Sequence, residues 1–372
     1  MKNMLNRHWS YMPTGLILAI LLIVFWFFNQ SYLAPSKSTV AIFLENPVIT
    51  FGLIIFGAYV GAFISGEFNI KAPMTYEPLV LALAGGFIIG VGAVIAEMSI
   101  HSVVLFNLAG IFTLPAFLVT KGWIFIAFMV LGGLVGSKLL VLIILKTARL
   151  KREIFIPEAL ISRKNQRIVF LGLLALFTIS VLVILLLTRL TYPEKIGLIL
   201  GMILLVAFGF IVERGTICMS SMLKEWFISH SAYVWRSVLF TIMCLAFLYQ
   251  VGLHLDLYEP IELESYVTNL GLLLAGSFLM GFGFVFADGC FIGSLWKAGQ
   301  GNVINIVGIA GLLTGIGASE IGKAILVEQT SATGGFIPNY LSSVASSYVW
   351  LGLLWFIGVL SFIVFKQKHY RY

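Results

Sequence analysis

Residues 275–290 read Ala-Gly-Ser-Phe-Leu-Met-Gly-Phe-Gly-Phe-Val-Phe-Ala-Asp-Gly-Cys, and the run answers to a second one earlier in the chain. Ala84-Gly85-Gly86-Phe87-Ile88-Ile89-Gly90-Val91-Gly92 lies over Ala275 to Gly283 at an offset of 191 residues (85 to 276, 92 to 283). In the same register Ala96-Glu97-Met98-Ser99 lies over Ala287-Asp288-Gly289-Cys290. A weaker echo sets Ser65-Gly66-Glu67 opposite Glu213-Arg214-Gly215. Self-similarity of this kind indicates a duplicated unit. Apolar segments interrupted by glycine at matching places in two halves point to a transport site at the repeat interface. Small residues that simply let membrane helices approach closely would leave the same glycine pattern. An acid and a thiol following the same glycines favour transport.

The remainder of the chain fits that reading. It is 372 residues long, 60% hydrophobic and only 10% charged, with a mean hydropathy of +1.04. Runs of about 20 apolar residues recur from end to end, each able to cross a hydrocarbon core as a helix. The ten-residue alternation of a β-barrel is absent from the sequence. The expected spans are 13–30, 47–66, 79–96, 121–145, 168–188, 195–212, 233–252, 267–287, 303–324 and 347–365. The fold class is therefore an all-α polytopic membrane protein, a pseudo-symmetric two-repeat bundle of about nine to ten transmembrane helices. Re-entrant or half-membrane helices at 79–118 and 213–232, where glycines and polar residues interrupt, would complete it. Residues 1–145 form the first repeat, 146–167 a basic linker and 168–372 the second repeat.

The net charge of +7 does not indicate nucleic acid. Lys146, Arg149, Lys151, Arg152, Arg163, Lys164 and Arg167 sit in the linker, and Lys2, Arg7, Lys366, Lys368 and Arg371 flank the termini. This is the positive-inside pattern, which puts both termini and the linker in the cytoplasm of a multi-pass inner-membrane protein. Asp256, Glu259, Glu262 and Glu264 mark an outward loop. The run at 13–28 passes into Phe25-Trp26-Phe27-Phe28 without a small-residue cleavage site and reads as a retained helix.

Charge inside a bilayer is costly unless paired or wetted, so ionisable residues there are functional candidates. Two segments stand out. Glu213-Arg214-Gly215-Thr216-Ile217-Cys218 sets Arg214 four positions before a thiol, where both would share one helix face if the helix continued. Asp288-Gly289-Cys290 is followed by Gly293 and Lys297. Here the backbone can leave one helix and start another, and a helix beginning at Cys290 would aim its N–H groups at an anion beside the thiol. Packing as a small hydrophobe is the bland alternative for either cysteine. Lys297, with Gly299, Gln300, Gly301 and Asn302, reads equally as an anion collector or a snorkelling lysine. Glu97, Ser99 and His101 take the matching places in the first half. Cys244, among apolar neighbours, reads as structural. Three scattered cysteines make neither a disulfide framework nor a metal site. Phosphate-binding, metalloprotease and Cys-x-x-Cys signatures are absent, so no enzyme, cofactor or metal is expected.

The two segments resemble motifs of the YeeE/YedE family of bacterial inner-membrane proteins. That family carries Glu/Gln-Arg-x-x-x-Cys and Gly-Cys-x-x-Gly-x-x-x-Arg/Lys-Ala-x-x-Gly; here these are Glu213 to Cys218 and Gly289 to Gly301. Gly61 to Lys71 is similar to a further family segment. The resemblance covers roughly 50–325 and implies a permease for a small sulfur-containing anion. In such a permease thiosulfate passes along pore cysteines by hydrogen bonding to sulfur, without a covalent intermediate. With the Glu-Arg…Cys half second, the order of halves is similar to the YedE branch, linked to selenium metabolism, and Ser99 stands where the family has a third cysteine. The expected partners are a small inorganic sulfur or selenium anion, the lipid bilayer and an acidic cytoplasmic sulfur-carrier protein docking on the linker. A membrane-embedded thiol oxidoreductase or sulfur-transfer component is the alternative; a structural subunit of a larger assembly is a third.

Overall fold

A computed structural model describes residues 10–30, 47–73, 76–96, 123–148, 157–159, 192–218 and 270–330, with isolated residues in 168–175 and 220–251. The described helices are α1 (Tyr11–Gln30), α2 (Pro47–Ser65), α3 (Glu77–Ile95), α4 (Trp123–Ala148), α5 (Tyr192–Gly215), α6 (Leu270–Phe286), α7 (Phe291–Gly299) and α8 (Val303–Thr330). Two three-residue strands, β1 (Lys71–Pro73) and β2 (Pro157–Ala159), pair antiparallel. Their backbone pairing, with a parallel bridge between Lys71 and Asn302, departs from the all-helical expectation, and nothing in their residues announced it.

Local chemistry accounts for where several helices begin and end. Pro47 opens α2, and Glu77 with Pro78 opens α3; proline is preorganised for a first turn and a carboxylate offsets the positive end of the dipole. α2 closes in a six-residue cap in which Glu67 N donates to Ala62 O and Gly66 N to Phe63 O. Gly66 there has φ +75, the left-handed turn that lets the last carbonyls find partners. α5 and α7 close identically, through Ile217 N to Val212 O and Asn302 N to Lys297 O, around Thr216 at φ 51 and Gly301 at φ 93.

The helices pack in two groups. α3 lies between α8 and α6, and α6 also packs on α4; α5 packs on α2 and α1. The short helix α7 bridges the groups, touching α2, α5 and α8. Glycine makes the approaches possible: a Cβ on Gly57 would run into Val206 O, and one on Gly209 into Ile54 O, so α2 and α5 meet backbone to backbone. The bundle's surface is apolar along whole faces: Leu131, Val135, Leu139 and Leu142 of α4 and Val80, Leu83 and Phe87 of α3 are exposed. Such belts are unfavourable in water and suited to lipid. Glu77–Ile95 and the run Gly271–Gly299 are long and apolar enough to cross a membrane.

The expected spans at 47–66, 79–96 and 267–287 coincide with α2, α3 and α6 to within a few residues. α5 runs past the expected end at 212, because Glu213 and Arg214 neutralise each other inside the helix. The expected spans at 168–188 and 233–252 are described only at isolated positions, and the span at 347–365 lies outside the described residues.

Candidate functional site

The site is built on two interruptions of helix. At the first, α5 ends at Gly215, Thr216 turns left-handed, and Ile217 and Cys218 follow in irregular backbone. At the second, α6 ends at Phe286, Asp288 turns left-handed with φ 54, and Cys290 caps α7 in extended conformation. As N-cap, the Cys290 sulfur accepts a hydrogen bond from Gly293 N at 3.3 Å, in the place usually taken by a serine or aspartate oxygen.

An interrupted helix leaves carbonyls without their usual partners, and buried carbonyls must be satisfied. Two side chains serve them here. Lys297 Nζ donates to Asp288 O at 2.5 Å and to Asp288 Oδ2 at 3.2 Å. Asn305 Nδ2, on the first turn of α8, reaches Ala287 O at 3.4 Å and Asp288 O at 3.5 Å. Gly289 is required by crowding, since a Cβ there would lie 2.5 Å from Ser294 Oγ and 3.1 Å from Asn305 Nδ2.

The two interruptions bring the thiols together. Cys218 Sγ lies 3.8 Å from Cys290 Sγ, and both residues are buried, at 1% and 3% exposure. Gly293 makes the room: a Cβ on it would collide with Cys218 Sγ and stand 3.3 Å from Cys290 Sγ. Trp296 Nε1 donates to Ile217 O at 3.0 Å, fastening the segment that carries Cys218 onto α7. Phe291 packs edge-on against Phe51 of α2 at 4.7 Å, steadying the other end of that helix.

Beside the first interruption is a charged group sealed in the bundle. Arg214 and Glu213 are both fully buried and joined twice, Nε to Oε2 at 2.7 Å and Nη2 to Oε1 at 2.9 Å. Glu67, the last residue of the α2 cap, lies 3.6 Å from Arg214, and Gln300 Nε2 donates to Glu213 Oε1 at 3.0 Å. The guanidinium thus meets carboxylates from both α5 and the end of α2.

Of the residues singled out in the sequence, Glu213, Arg214, Cys218, Asp288, Gly289, Cys290 and Lys297 are described, and Glu97, Ser99 and His101 lie outside the described residues. The expected common helix face for Arg214 and Cys218 does not form. The helix stops between them, and the arginine is spent on Glu213 and Glu67. Lys297 holds the α6–α7 interruption through Asp288. Cys218 and Cys290 sit among apolar side chains of the core. Cys244 lies at the margin of that core, partly buried. Glu67, Gly293, Trp296, Gln300 and Asn305 were not singled out as site residues. Gly293 was legible as part of the glycine spacing, whereas Glu67 meets Arg214 only through the fold. Among the described residues no cluster of three metal-ligating side chains occurs.

Residues 214–371 match the family model described as Sulphur transport. Over 260 residues, 68% of this chain, the sequence is 28% identical to a protein of Salmonella typhimurium named probable transporter YedE. It is 27% identical to its Escherichia coli namesake over the same share. A 126-residue stretch, 33% of the chain, is 29% identical to the thiosulfate transporter TsuA of Spirochaeta thermophila. The matches span 60% of the length of the two YedE proteins and 34% of the thiosulfate transporter. No solved structure matches the chain. Together with the apolar helices, these likenesses make the chain a helical membrane protein related to the YeeE/YedE sulphur-transport proteins.

Proposed function

We propose that the protein is an inner-membrane permease, not an enzyme, for a small sulfur-containing anion of the thiosulfate type or a related selenium species, passed between Cys218 and Cys290. The observation that carries this is the thiol pair at 3.8 Å, one member of which caps the N-terminus of a half-length helix. Thiols are weak donors to a soft, polarizable sulfur atom, while the N-terminal N–H groups of α7 favour negative charge. Ion sites at the ends of interrupted helices are a recurring device of membrane transporters. The names of the relatives agree in class.

The reading includes two inverted repeats, and the glycine contacts support it. Gly92 faces Gly276 O and Gly283 faces Gly85 O, each at 2.7 Å for an added Cβ, so residues related by the 191 offset exchange partners. The outer helices behave alike. Gly90 meets Leu312 O as Gly281 meets Met129 O, and Gly315 meets Phe87 O as Gly132 meets Phe278 O. In these pairs 87 and 90 map to 278 and 281 by 191, and 129 and 132 map to 312 and 315 by 183. Because α3 and α6 run antiparallel through these contacts, their two-fold axis would lie in the membrane plane. The basic linker and termini then face the cytoplasm, Ser99 and Glu97 would complete the opposite wall from the first repeat, and His101 would be a proton or anion contact.

The test is uptake of labelled thiosulfate, sulfite and selenium oxyanions into vesicles holding wild type or Cys290→Ala. Wild-type uptake of one of these, lost in the variant, is the expected result. Equal uptake by both proteins for every anion would remove the thiol pair from transport.

A further inference from the structure

Cys218 and Cys290 stand 72 positions apart in sequence, yet nothing separates their sulfurs in space. A disulfide has its sulfurs about 2.05 Å apart, so the 3.8 Å gap closes with a shift of about 1.8 Å. A Cβ at residue 293 would intrude on both sulfurs, and that position is vacant because the residue is glycine. Both cysteines lie in irregular backbone just past a left-handed residue, where small dihedral changes absorb such a shift without bending a helix. The Trp296–Ile217 hydrogen bond already draws the Cys218 segment onto the helix that Cys290 caps.

We infer that Cys218 and Cys290 are a redox modification site, joined by a reversible disulfide when a hydroperoxide reaches them. One thiolate sulfur attacks the peroxide; the O–O bond breaks, the distal oxygen becomes a sulfenic acid and the other leaves as water or an alcohol. The second thiol attacks the sulfenic sulfur, the S–S bond forms and water departs. Two thiols have then lost two electrons and two protons, and the peroxide has taken them up. A dithiol reverses the step by exchange. In the disulfide neither sulfur keeps an S–H to offer, so on the permease reading, on which this consequence rests, the oxidised protein is shut. Peroxide is no larger than the anion that reading admits, so the same route serves it.

The experiment uses the full chain with Cys244→Ser, in phospholipid vesicles, treated with hydrogen peroxide. Denatured samples are labelled with a polyethylene glycol maleimide, and digests are weighed by mass spectrometry. Two labels before treatment, none after it and two again after dithiothreitol are expected, with the peptides of Cys218 and Cys290 joined at a loss of two hydrogens. Cys218→Ser and Cys290→Ser in the same background yield no joined peptide. Thiols that stay titratable under peroxide, or that end as separate sulfinic acids, overturn the inference. Dibromobimane, which fluoresces on bridging two thiols, checks proximity in the untreated protein. Joined peptides support the disulfide whether or not the vesicles take up thiosulfate, so a failure of the permease reading is seen separately, in the uptake.

Discussion

Four described stretches of this protein leave a helix through a left-handed residue, and they fall into two kinds. After α2 and α7 the residue is Gly66 or Gly301, which adopts that conformation freely, and no thiol follows. After α5 and α6 it is Thr216 or Asp288, and a cysteine stands two residues further on in each case. A non-glycine residue held there costs about 1–3 kcal/mol, most for a β-branched one such as threonine, and persists only where the surroundings impose it. The caps that end α5 and α2 share the same hydrogen-bond pattern, so the difference lies in the residue alone. Strain has been kept at the two ends that position thiols and is absent from the two that do not.

The largest test of this contrast strikes what holds the strained end of α5 in place. Arg214→Leu would leave Glu213 buried with its main partner gone, and removing one member of a buried pair costs about 3–5 kcal/mol. A large fall in melting temperature in detergent, with poor recovery from membranes, is expected; an unchanged melt would show that the ion pair does not secure the α5 end. Next in size is Gly293→Ala. Its methyl group must displace Cys218, an overpacking cost of about 1–3 kcal/mol. Bridging of the two thiols by dibromobimane should fall sharply while the protein still folds, and undiminished bridging would show that the space beside Gly293 is not what sets the sulfur spacing. The finest test exchanges the two kinds of end. Thr216→Gly should stabilise and Gly66→Ala destabilise, each by about 1 kcal/mol. Melts that move in the same direction would erase the distinction.

Much of the helical framework was legible because apolar length is a direct signal: α2, α3 and α6 lie close to the expected spans. The start of α7 at Cys290 was also legible, since Gly289 and Gly293 bracket the thiol and let the backbone leave one helix and begin another. The placing of Cys218 was not. Reading Arg214 and Cys218 as helical neighbours assumed that α5 continues, but the cap around Thr216 stops it, and threonine gives no warning of a left-handed turn. The second carboxylate beside Arg214 was hidden for a different reason. Glu67 is 147 positions away from the arginine, and only the packing of α2 on α5 brings that carboxylate to it. The part played by Trp296 was not legible, because the carbonyl it holds, at Ile217, is invisible until the fold is known.

The glycine contacts between helices have a mechanical corollary. Where carbonyls of one helix rest directly on the backbone of another, as between α3 and α8, α4 and α6, or α2 and α5, there is no cushion of side chains to slide or tilt upon. These pairs act as stiff slabs. α7 rests on α2 in the same way, since a Cβ on Gly299 would lie 2.7 Å from Ile55 O, and Phe291, Gln300 and Trp296 fasten it further, so the helix that Cys290 caps is carried by the slab of α2 and α5.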